Sequence, residues 1–192
     1  MVFQHCLDMS RWVYRIVGRA DKIDDEIKKI MSLRDKANRD SLTGLLNQDC
    51  IMKSIKHNLE VCGCGIGFMI DIDDFKGVND RHGHLVGNNM LKCIANVLTD
   101  NFRQEDIIGR FGGDEFFVFI PNTSDVVWAR SKAKKIVEAI NSIKVSDNEF
   151  LRASVGVAIN KDGTLSLDQM LKKADEAMYK AKELGKNMFK MY

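Results

Sequence analysis

The chain has 192 residues, 45% of them hydrophobic, enough to bury one domain core of roughly 150 residues and to carry an appendage. Its 29 basic and 27 acidic residues give a formal net charge of +2 and are spread along the chain, which argues against a nucleic acid polymer as partner. Five cysteines without zinc-ligand spacing predict reduced thiols in a cytoplasmic protein. The apolar stretch Trp12–Val17 is too short to span a bilayer, and no signal-peptide cleavage pattern follows it.

The first predicted element is one amphipathic helix over residues 9–39. The segment contains no proline, and its apolar residues recur at close to helical spacing: Val13, Ile16, Ala20, Ile23, Ile27, Ile30, Leu33 and Ala37. The charged flanks suit a two-stranded coiled coil, but they equally suit a helix folded back on its own domain. We therefore predict a helical segment over 1–39, with a possible role in dimerisation or signalling, and a separate domain over 40–192.

The domain alternates helical and strand-like patterns. Helical periodicity predicts helices at 48–59, 85–100, 125–141 and 167–184. Apolar runs predict strands at 66–70, 107–111, 116–120, 151–159 and 187–191. Gly112 and Gly113 separate the second and third strands and are typical of a hairpin, because glycine adopts positive φ without steric cost. The predicted fold is α/β (α+β), with a mixed, mainly antiparallel central sheet flanked by helices.

Three carboxylates are expected to converge at one end of this sheet. Asp71 closes the first strand, and Asp114 with Glu115 lies at the tip of the hairpin. Clustered carboxylates repel one another unless a cation neutralises them, and Mg²⁺ prefers such oxygen ligands together with substrate phosphates. This pattern predicts a two-metal site for phosphoryl transfer.

The hairpin segment Arg110-Phe-Gly-Gly-Asp-Glu-Phe116 resembles the signature of the GGDEF family of diguanylate cyclases. Four further blocks resemble that family's motifs in the same order: Asp40-Ser-Leu-Thr-Gly-Leu45 with Asn47, Asp71-Ile-Asp-Asp-Phe-Lys76 through Asn79-Asp80 and Gly83-His84 to Gly87, Ser154-Val-Gly-Val-Ala158, and Ala174-Asp-Glu-Ala-Met-Tyr-Lys-Ala-Lys182 with Gly185-Lys-Asn187. The resemblance implies a palm-like nucleotidyl cyclase of bacterial second-messenger signalling. It would condense two GTP into cyclic di-GMP and two pyrophosphates.

The resemblance also implies roles for individual residues. Asp71, the backbone carbonyl of Ile72 and Asp114 would hold two Mg²⁺ or Mn²⁺ ions in each half-site. Glu115 would assist the metals or take the proton from the attacking 3′-hydroxyl, and both roles stay open. The nucleotide would be held by Asn79 and His84 at the base and sugar and by Lys76, Lys182 and Lys186 at the triphosphate. Lys186 replaces the usual arginine, so a bidentate phosphate contact becomes a point charge.

Each protomer would bind one triphosphate, so the active form is expected to be a homodimer. Arg103 and Asp106 lie where the resembling family places its inhibitory product site, and together they can bind phosphate and a guanine edge. Asp73 and Asp74 are expected to cap the helical turn that follows them.

Asn88 departs from the family pattern, in which an aspartate reads the Watson–Crick edge of guanine. A carboxylate matches the two donors of guanine, whereas an asparagine amide offers one acceptor and one donor, as an adenine edge requires. Three possibilities remain open: GTP use through Asn79 and one contact from Asn88, use of ATP or mixed substrates, and poor activity in a domain that mainly binds nucleotide. A receptor that binds a cyclic dinucleotide at Arg103 and Asp106, or a purely structural dimer module, are the non-enzymatic alternatives.

Overall fold

The computed structural model of the chain describes residues 22–192. These residues fall into two units, one ending at Asn38 and the other running over Arg39–Tyr192. In the first unit, helix α1 covers residues 22–38, and its large apolar side chains are 46% to 63% exposed: Ile23, Ile27, Ile30, Met31 and Leu33. The earlier part of the predicted helix and the stretch Trp12–Val17 lie outside the described residues. Over 22–192, no helix is long and apolar enough to cross a membrane.

The second unit contains five helices and seven strands. The helices are α2 (Gln48–Cys62), α3 (Phe75–His82), α4 (His84–Asn101), α5 (Val126–Asn141) and α6 (Leu167–Glu183). The strands are β1 (Gly65–Ile72), β2 (Ile107–Gly112), β3 (Glu115–Pro121), β4 (Lys144–Ser146), β5 (Glu149–Phe150), β6 (Ala153–Asn160) and β7 (Phe189–Met191). Five strands form one sheet in the order β2-β3-β1-β6-β7, in which only β6 and β7 are parallel. The predicted mixed, mainly antiparallel sheet is confirmed.

Strand β1 lies at the centre of the sheet and is buried along its whole length. Ile66, Phe68 and Ile70 belong to a core cluster shared with α4 and α5, whereas Met69 belongs to a second cluster shared with α2 and α6. Successive side chains of a strand point to opposite faces, so helices on both faces require apolar residues at nearly every position. This double covering explains the continuous apolar run that ends at Asp71.

Helix α6 approaches the backbone of β6 at Gly156. A Cβ atom at this position would lie 1.9 Å from the carbonyl oxygen of Ala174 and 2.3 Å from the amide nitrogen of Met178. Only glycine leaves room for this approach. The contact fixes the last turn of α6, with Lys182, beside the end of the sheet.

Two elements were missed in whole or in part: the sequence predicted only a helical turn where α3 lies, and it did not predict the β4–β5 ribbon. Helix α3 buries only Val78. Strands β4 and β5 have three and two residues, none of them buried. Neither element therefore shows a periodic pattern of apolar residues. Tertiary contacts join them instead. The Glu149 carboxylate in β5 lies 2.6 Å from both Arg81 Nη2 and His82 Nε2 at the end of α3.

Candidate active site

The strand register brings three acidic residues to one end of the sheet. Asp71 in β1 lies directly opposite Glu115 in β3, and the amide of Ile72 donates to the carbonyl oxygen of Asp114 at 3.3 Å. Gly112 and Gly113 form the turn before β3, but neither adopts the positive φ expected from the sequence, and a Cβ atom at Gly113 would meet nothing within 4 Å. The backbone of Ile72 and the three carboxylate residues therefore occupy one edge.

Asp71 is buried, with 7% of its surface exposed. Its carboxylate forms an ion pair with Lys182, whose Nζ lies 2.8 Å from Oδ1. Burial raises its pKa; Lys182 opposes this effect, while the charges of Asp114 and Asp73 add to it. Burial likewise raises the pKa of Glu115, with further contributions from the charges of Asp71 and Asp114. The cluster thus has more negative charge than one lysine compensates.

This donor set suits a hard divalent cation. Asp71 pairs with the ammonium group of Lys182, and the opposed Glu115 and the neighbouring Asp114 could offer further oxygen ligands. Across residues 22–192, no three acidic, histidine or cysteine side chains are close enough together to form a metal cluster by themselves. Mg²⁺ normally retains waters and binds one or two carboxylates plus substrate phosphates, so a partial protein shell of this kind fits it.

Arg110 fixes the turn that presents Asp114. Its Nε and Nη2 atoms donate to the carbonyl oxygen of Gly113 at 3.0 and 2.6 Å, and its Nη1 lies 3.2 Å from both carboxylate oxygens of Asp40. Asp40 also accepts from the amide and hydroxyl of Thr43 at 2.9 and 2.6 Å. Both residues belong to motifs recognisable in the sequence, but their pairing across 70 positions is visible only in the fold.

The predicted base-contacting residues meet at the junction of α3 and α4. Asn79 on α3 packs so closely against Gly87 that a Cβ atom there would lie 2.0 Å from its Oδ1. His84 and Asn88 are both exposed and are four residues apart on α4, which places them on one helix face. The three side chains border one corner of the domain.

The three lysines predicted to bind phosphate differ in their surroundings. Lys182 pairs with Asp71, whereas Lys76 at the start of α3 and Lys186 after α6 are exposed and form no ion pair within the described part of the chain. Lys186 and Asn187 adopt left-handed backbone conformations, with φ values of 65° and 48°. This turn stands next to the loop that follows β1.

The predicted capping role of Asp73 and Asp74 is wrong. Asp74 precedes α3 with a left-handed φ of 55°, makes no capping bond and instead lies 3.3 Å from Arg81. Asp73 is buried, and its carboxylate accepts from the Ser154 hydroxyl and the Asn187 amide, each at 2.8 Å. The Asp74 carboxylate lies beside Gly77 in the first turn, where a Cβ atom would be 2.4 Å from its Oδ2, but it pairs with Arg81 and accepts no bond from a first-turn amide.

Arg103 and Asp106 lie apart from the carboxylates, in the loop between α4 and β2. The Asp106 carboxylate accepts from the amide of Arg103 at 2.8 Å, and the Arg103 side chain is 81% exposed. Both residues line a cleft of about 620 Å³ that also includes the aromatic rings of Phe102 and Trp128. The ammonium group of Lys132 lies 4.9 and 5.5 Å from the centroids of these two rings.

A family model described as "Diguanylate cyclase, GGDEF domain" matches residues 37–188. The chain belongs to the GGDEF family. It is 32% identical over 159 residues to diguanylate cyclase DgcM of Escherichia coli, covering 81% of this chain and 38% of DgcM. It is also 30% identical over 191 residues to the E. coli cyclic di-GMP phosphodiesterase PdeR, covering 97% of this chain and 29% of PdeR.

Among solved structures, the coiled coil and GGDEF domain of DgcB from Caulobacter crescentus, in complex with c-di-GMP, matches with a TM-score of 0.83 at 24% identity. The match covers 93% of this chain and 97% of that one. The GGDEF chain described here spans between about a quarter and two fifths of the length of the first curated relatives it matches.

The Asp40–Arg110 contact of the GGDEF domain yields a prediction on stability. Burial raises the pKa of Asp40, but the hydrogen bonds from Thr43 and the Arg110 contact outweigh it, so the net pKa lies below its ordinary value. A lowered carboxyl pKa stabilises the fold above the unfolded-state pKa of about 3.9, and this contribution disappears as the pH falls through the folded-state value. We expect Asp40→Asn to lower the free energy of unfolding by about 1–2 kcal/mol at pH 7 and by much less at an acid pH below the folded-state pKa of Asp40.

Urea unfolding at both pH values measures this difference. Asp147→Asn is the matched control, because Asp147 pairs with Lys144 at 2.8 Å but is 98% exposed. Its substitution should change the unfolding free energy by less than about 0.5 kcal/mol. Equal effects of the two substitutions at pH 7 would contradict a stabilising Asp40–Arg110 pair.

Proposed function

We propose that this GGDEF domain is a diguanylate cyclase that condenses two GTP into cyclic di-GMP and releases two pyrophosphates. The observation that carries the proposal is the opposed pair of Asp71 and Glu115 beside Asp114, a half-buried acidic edge whose buried member, Asp71, contacts the cation of Lys182. The likeness to the diguanylate cyclase DgcM supports it. In the reaction, the 3′-oxygen of one nucleotide attacks the α-phosphorus of the other in line with the departing pyrophosphate, and the step occurs twice.

The acidic edge would hold two Mg²⁺ or Mn²⁺ ions through Asp71, the carbonyl of Ile72 and Asp114. Bound metals of this kind stabilise the attacking and leaving oxygens of an in-line displacement. Glu115 either completes this ligand set or accepts the proton of the 3′-hydroxyl. Both roles fit its place directly opposite Asp71 in the strand register.

The corner formed by α3 and α4 would bind the base and sugar, and the lysines would neutralise the triphosphate. Asn79 and Asn88 each offer an amide, and His84 shares a helix face with Asn88. Lys182 lies beside Asp71 and would contact the phosphates together with Lys76 and Lys186. Binding energy would come from charge on the phosphate side and from hydrogen bonds on the base side.

Two half-sites must face each other, so we propose a homodimer as the active form. The exposed apolar stripe of α1 supports it, since Ile23, Ile27 and Ile30 follow one another at spacings of four and three residues. A second copy of the helix would bury this stripe. Joining two chains in this way raises the effective concentration of one half-site near the other.

Metal-dependent cyclisation is tested by Asp114→Ala. Because Asp114 would be a metal ligand, we expect product formation from Mg²⁺ and GTP to fall at least about 100-fold at unchanged circular dichroism. Asp162→Ala, in an exposed loop, is the control and should retain activity close to that of the unchanged chain. Mass spectrometry identifies the product, and a fully active Asp114→Ala variant would contradict the proposed site.

Asn88 supports a second candidate function, a cyclase with relaxed base specificity that accepts ATP or mixed pairs. Its exposed amide lies on the helix face of His84, where the family pattern has an aspartate. An amide is a poorer match for the two donors of guanine than a carboxylate is. A mismatched polar pair in a binding site reduces discrimination between substrates.

We expect Asn88→Asp to raise the preference for GTP over ATP by about tenfold or more. Incubation with GTP, ATP and an equimolar mixture, followed by mass spectrometry of the products, measures this ratio. Asn89→Asp is the matched control, because Asn89 is exposed on the same helix but points about 100° away. Strict GTP use by the unchanged chain would refute relaxed specificity.

We further propose that Arg103 and Asp106 bind the cyclic dinucleotide product and inhibit the enzyme. Their cleft is separate from the acidic edge, and its lining includes Arg103, Asp106 and Lys132, which offer charged groups to a phosphate and a guanine edge. The same cleft would serve a receptor without catalytic activity, so it supports that alternative as well. Product formation distinguishes the two.

Arg103→Ala tests the product site. We expect it to weaken cyclic di-GMP binding by about tenfold or more, because a charge-assisted phosphate contact is lost. Added cyclic di-GMP should also inhibit the variant less than it inhibits the unchanged chain, when each rate is expressed relative to the rate of the same protein without added product. Gln104→Ala, at the neighbouring position, is the control. Unchanged binding and inhibition in Arg103→Ala would show that the product acts elsewhere.

A further inference from the structure

Asp73 is a buried carboxylate whose two oxygens are both used. Its Oδ1 accepts from the hydroxyl of Ser154 and its Oδ2 accepts from the backbone amide of Asn187, each at 2.8 Å. Its own amide donates to the carbonyl oxygen of Arg152 at 2.9 Å. One residue therefore joins the loop after β1 to strand β6 and to the turn after α6.

The turn that Asp73 contacts has an unfavourable backbone. Gly185, Lys186 and Asn187 have consecutive φ values of 121°, 65° and 48°, and the left-handed region is sterically costly for a lysine. Within the described residues, Asn187 Oδ1 is also the one buried side-chain oxygen or nitrogen without a hydrogen-bond partner. A turn with these features persists only if surrounding contacts fix it.

The amides of all three turn residues are hydrogen-bonded. That of Gly185 donates to the carbonyl oxygen of Lys182 at 3.4 Å, within the end of α6. The other two bonds hold the turn from opposite sides. The amide of Lys186 donates to the carbonyl oxygen of Ala181 in α6, and the amide of Asn187 donates to Asp73. The first bond continues the helix end, so it would form wherever α6 lies. The second ties the turn to the strand end, because Asp73 follows Asp71 by two positions.

We propose that Asp73 is a positioning residue that fixes the 185–187 turn, and with it Lys186, against the strand end that carries Asp71. The inference rests on the proposed function, in which Lys186 neutralises the triphosphate and Asp71 holds metal. It assigns control of triphosphate affinity to a side chain that contacts neither nucleotide nor metal. Hydrogen-bond geometry, rather than the charge of Asp73, does the positioning.

Substitutions at Asp73 separate geometry from charge. Asparagine can still accept from the Asn187 amide with its oxygen and donate to the Ser154 hydroxyl with its nitrogen, whereas alanine loses both bonds. We expect Asp73→Ala to speed hydrogen exchange of the Asn187 amide at least about tenfold and to weaken binding of 3′-deoxy-GTP with Mg²⁺ about tenfold. Asp73→Asn should stay within about threefold of the unchanged chain in both measurements.

A second comparison tests whether the effect passes through Lys186. In a Lys186→Ala background, adding Asp73→Ala should weaken 3′-deoxy-GTP binding by less than about twofold further, because the positioned group is already absent. Asp74→Asn is the control, because Asp74 is the adjacent carboxylate and contacts Arg81 rather than the turn. This substitution should leave the exchange rate of the Asn187 amide unchanged. If Asp73→Ala does not fold, Asp73→Ser replaces it with the same expectations.

Unchanged exchange of the Asn187 amide in Asp73→Ala, or a full additional loss of binding in the Lys186→Ala background, would overturn the inference. An Asp73→Asn variant as impaired as Asp73→Ala would also overturn it, because charge would then be responsible. Failure of the unchanged chain to bind 3′-deoxy-GTP would contradict the proposed function instead. The exchange measurement does not require nucleotide and so separates these two results.

Discussion

The antiparallel pairing of β1 and β3 is the constraint on which the site depends. Its register sets Asp71 directly opposite Glu115 at the point where the sheet ends, and the glycine turn brings Asp114 beside them. Opposed carboxylates in a half-buried position repel each other, and burial raises the pKa of both. A fold that keeps such an arrangement needs cations at this edge. Repulsion among the carboxylates thus makes the acidic edge locally unfavourable, and a metal ion bound with substrate phosphates would neutralise it.

Residues outside the acidic edge hold it in shape. Arg110 binds the carbonyl of the glycine turn and the carboxylate of Asp40, so the turn is anchored to the start of the domain. Helix α6 is set by its backbone contact at Gly156, which places Lys182 next to Asp71. The Arg110–Asp40 and Lys182–Asp71 pairs are half-buried, and a lost partner in such a pair costs more than an exposed ion pair contributes. Precision at the site therefore depends on side chains several ångströms away from it.

The turn at Lys186 illustrates how local strain and function coincide. A lysine in the left-handed region costs about 1 kcal/mol or more, and the neighbouring buried amide oxygen of Asn187 adds to that cost. The bond from Asn187 to Asp73 offsets part of it and joins the turn to the loop that follows β1 and Asp71. In this way the phosphate side and the metal side of the site would share one structural support.

The fold class, the central strands and the position of the acidic residues were predictable from the sequence, because a strand covered on both faces requires an unbroken apolar run. Gly112 and Gly113 marked the hairpin correctly, although neither adopts the positive φ that was expected of them. The five ordered motifs also determined the family, which the match over 37–188 confirmed. The extent of helix α3 and the β4–β5 ribbon escaped prediction, since these elements bury few apolar side chains and are joined mainly through Glu149. The partners of Asp73 were decided only by the tertiary structure. A carboxylate two positions after a strand end looks like a helix cap in sequence, and only the packing of β6 and of the turn after α6 places Ser154 and Asn187 within hydrogen-bond distance of it.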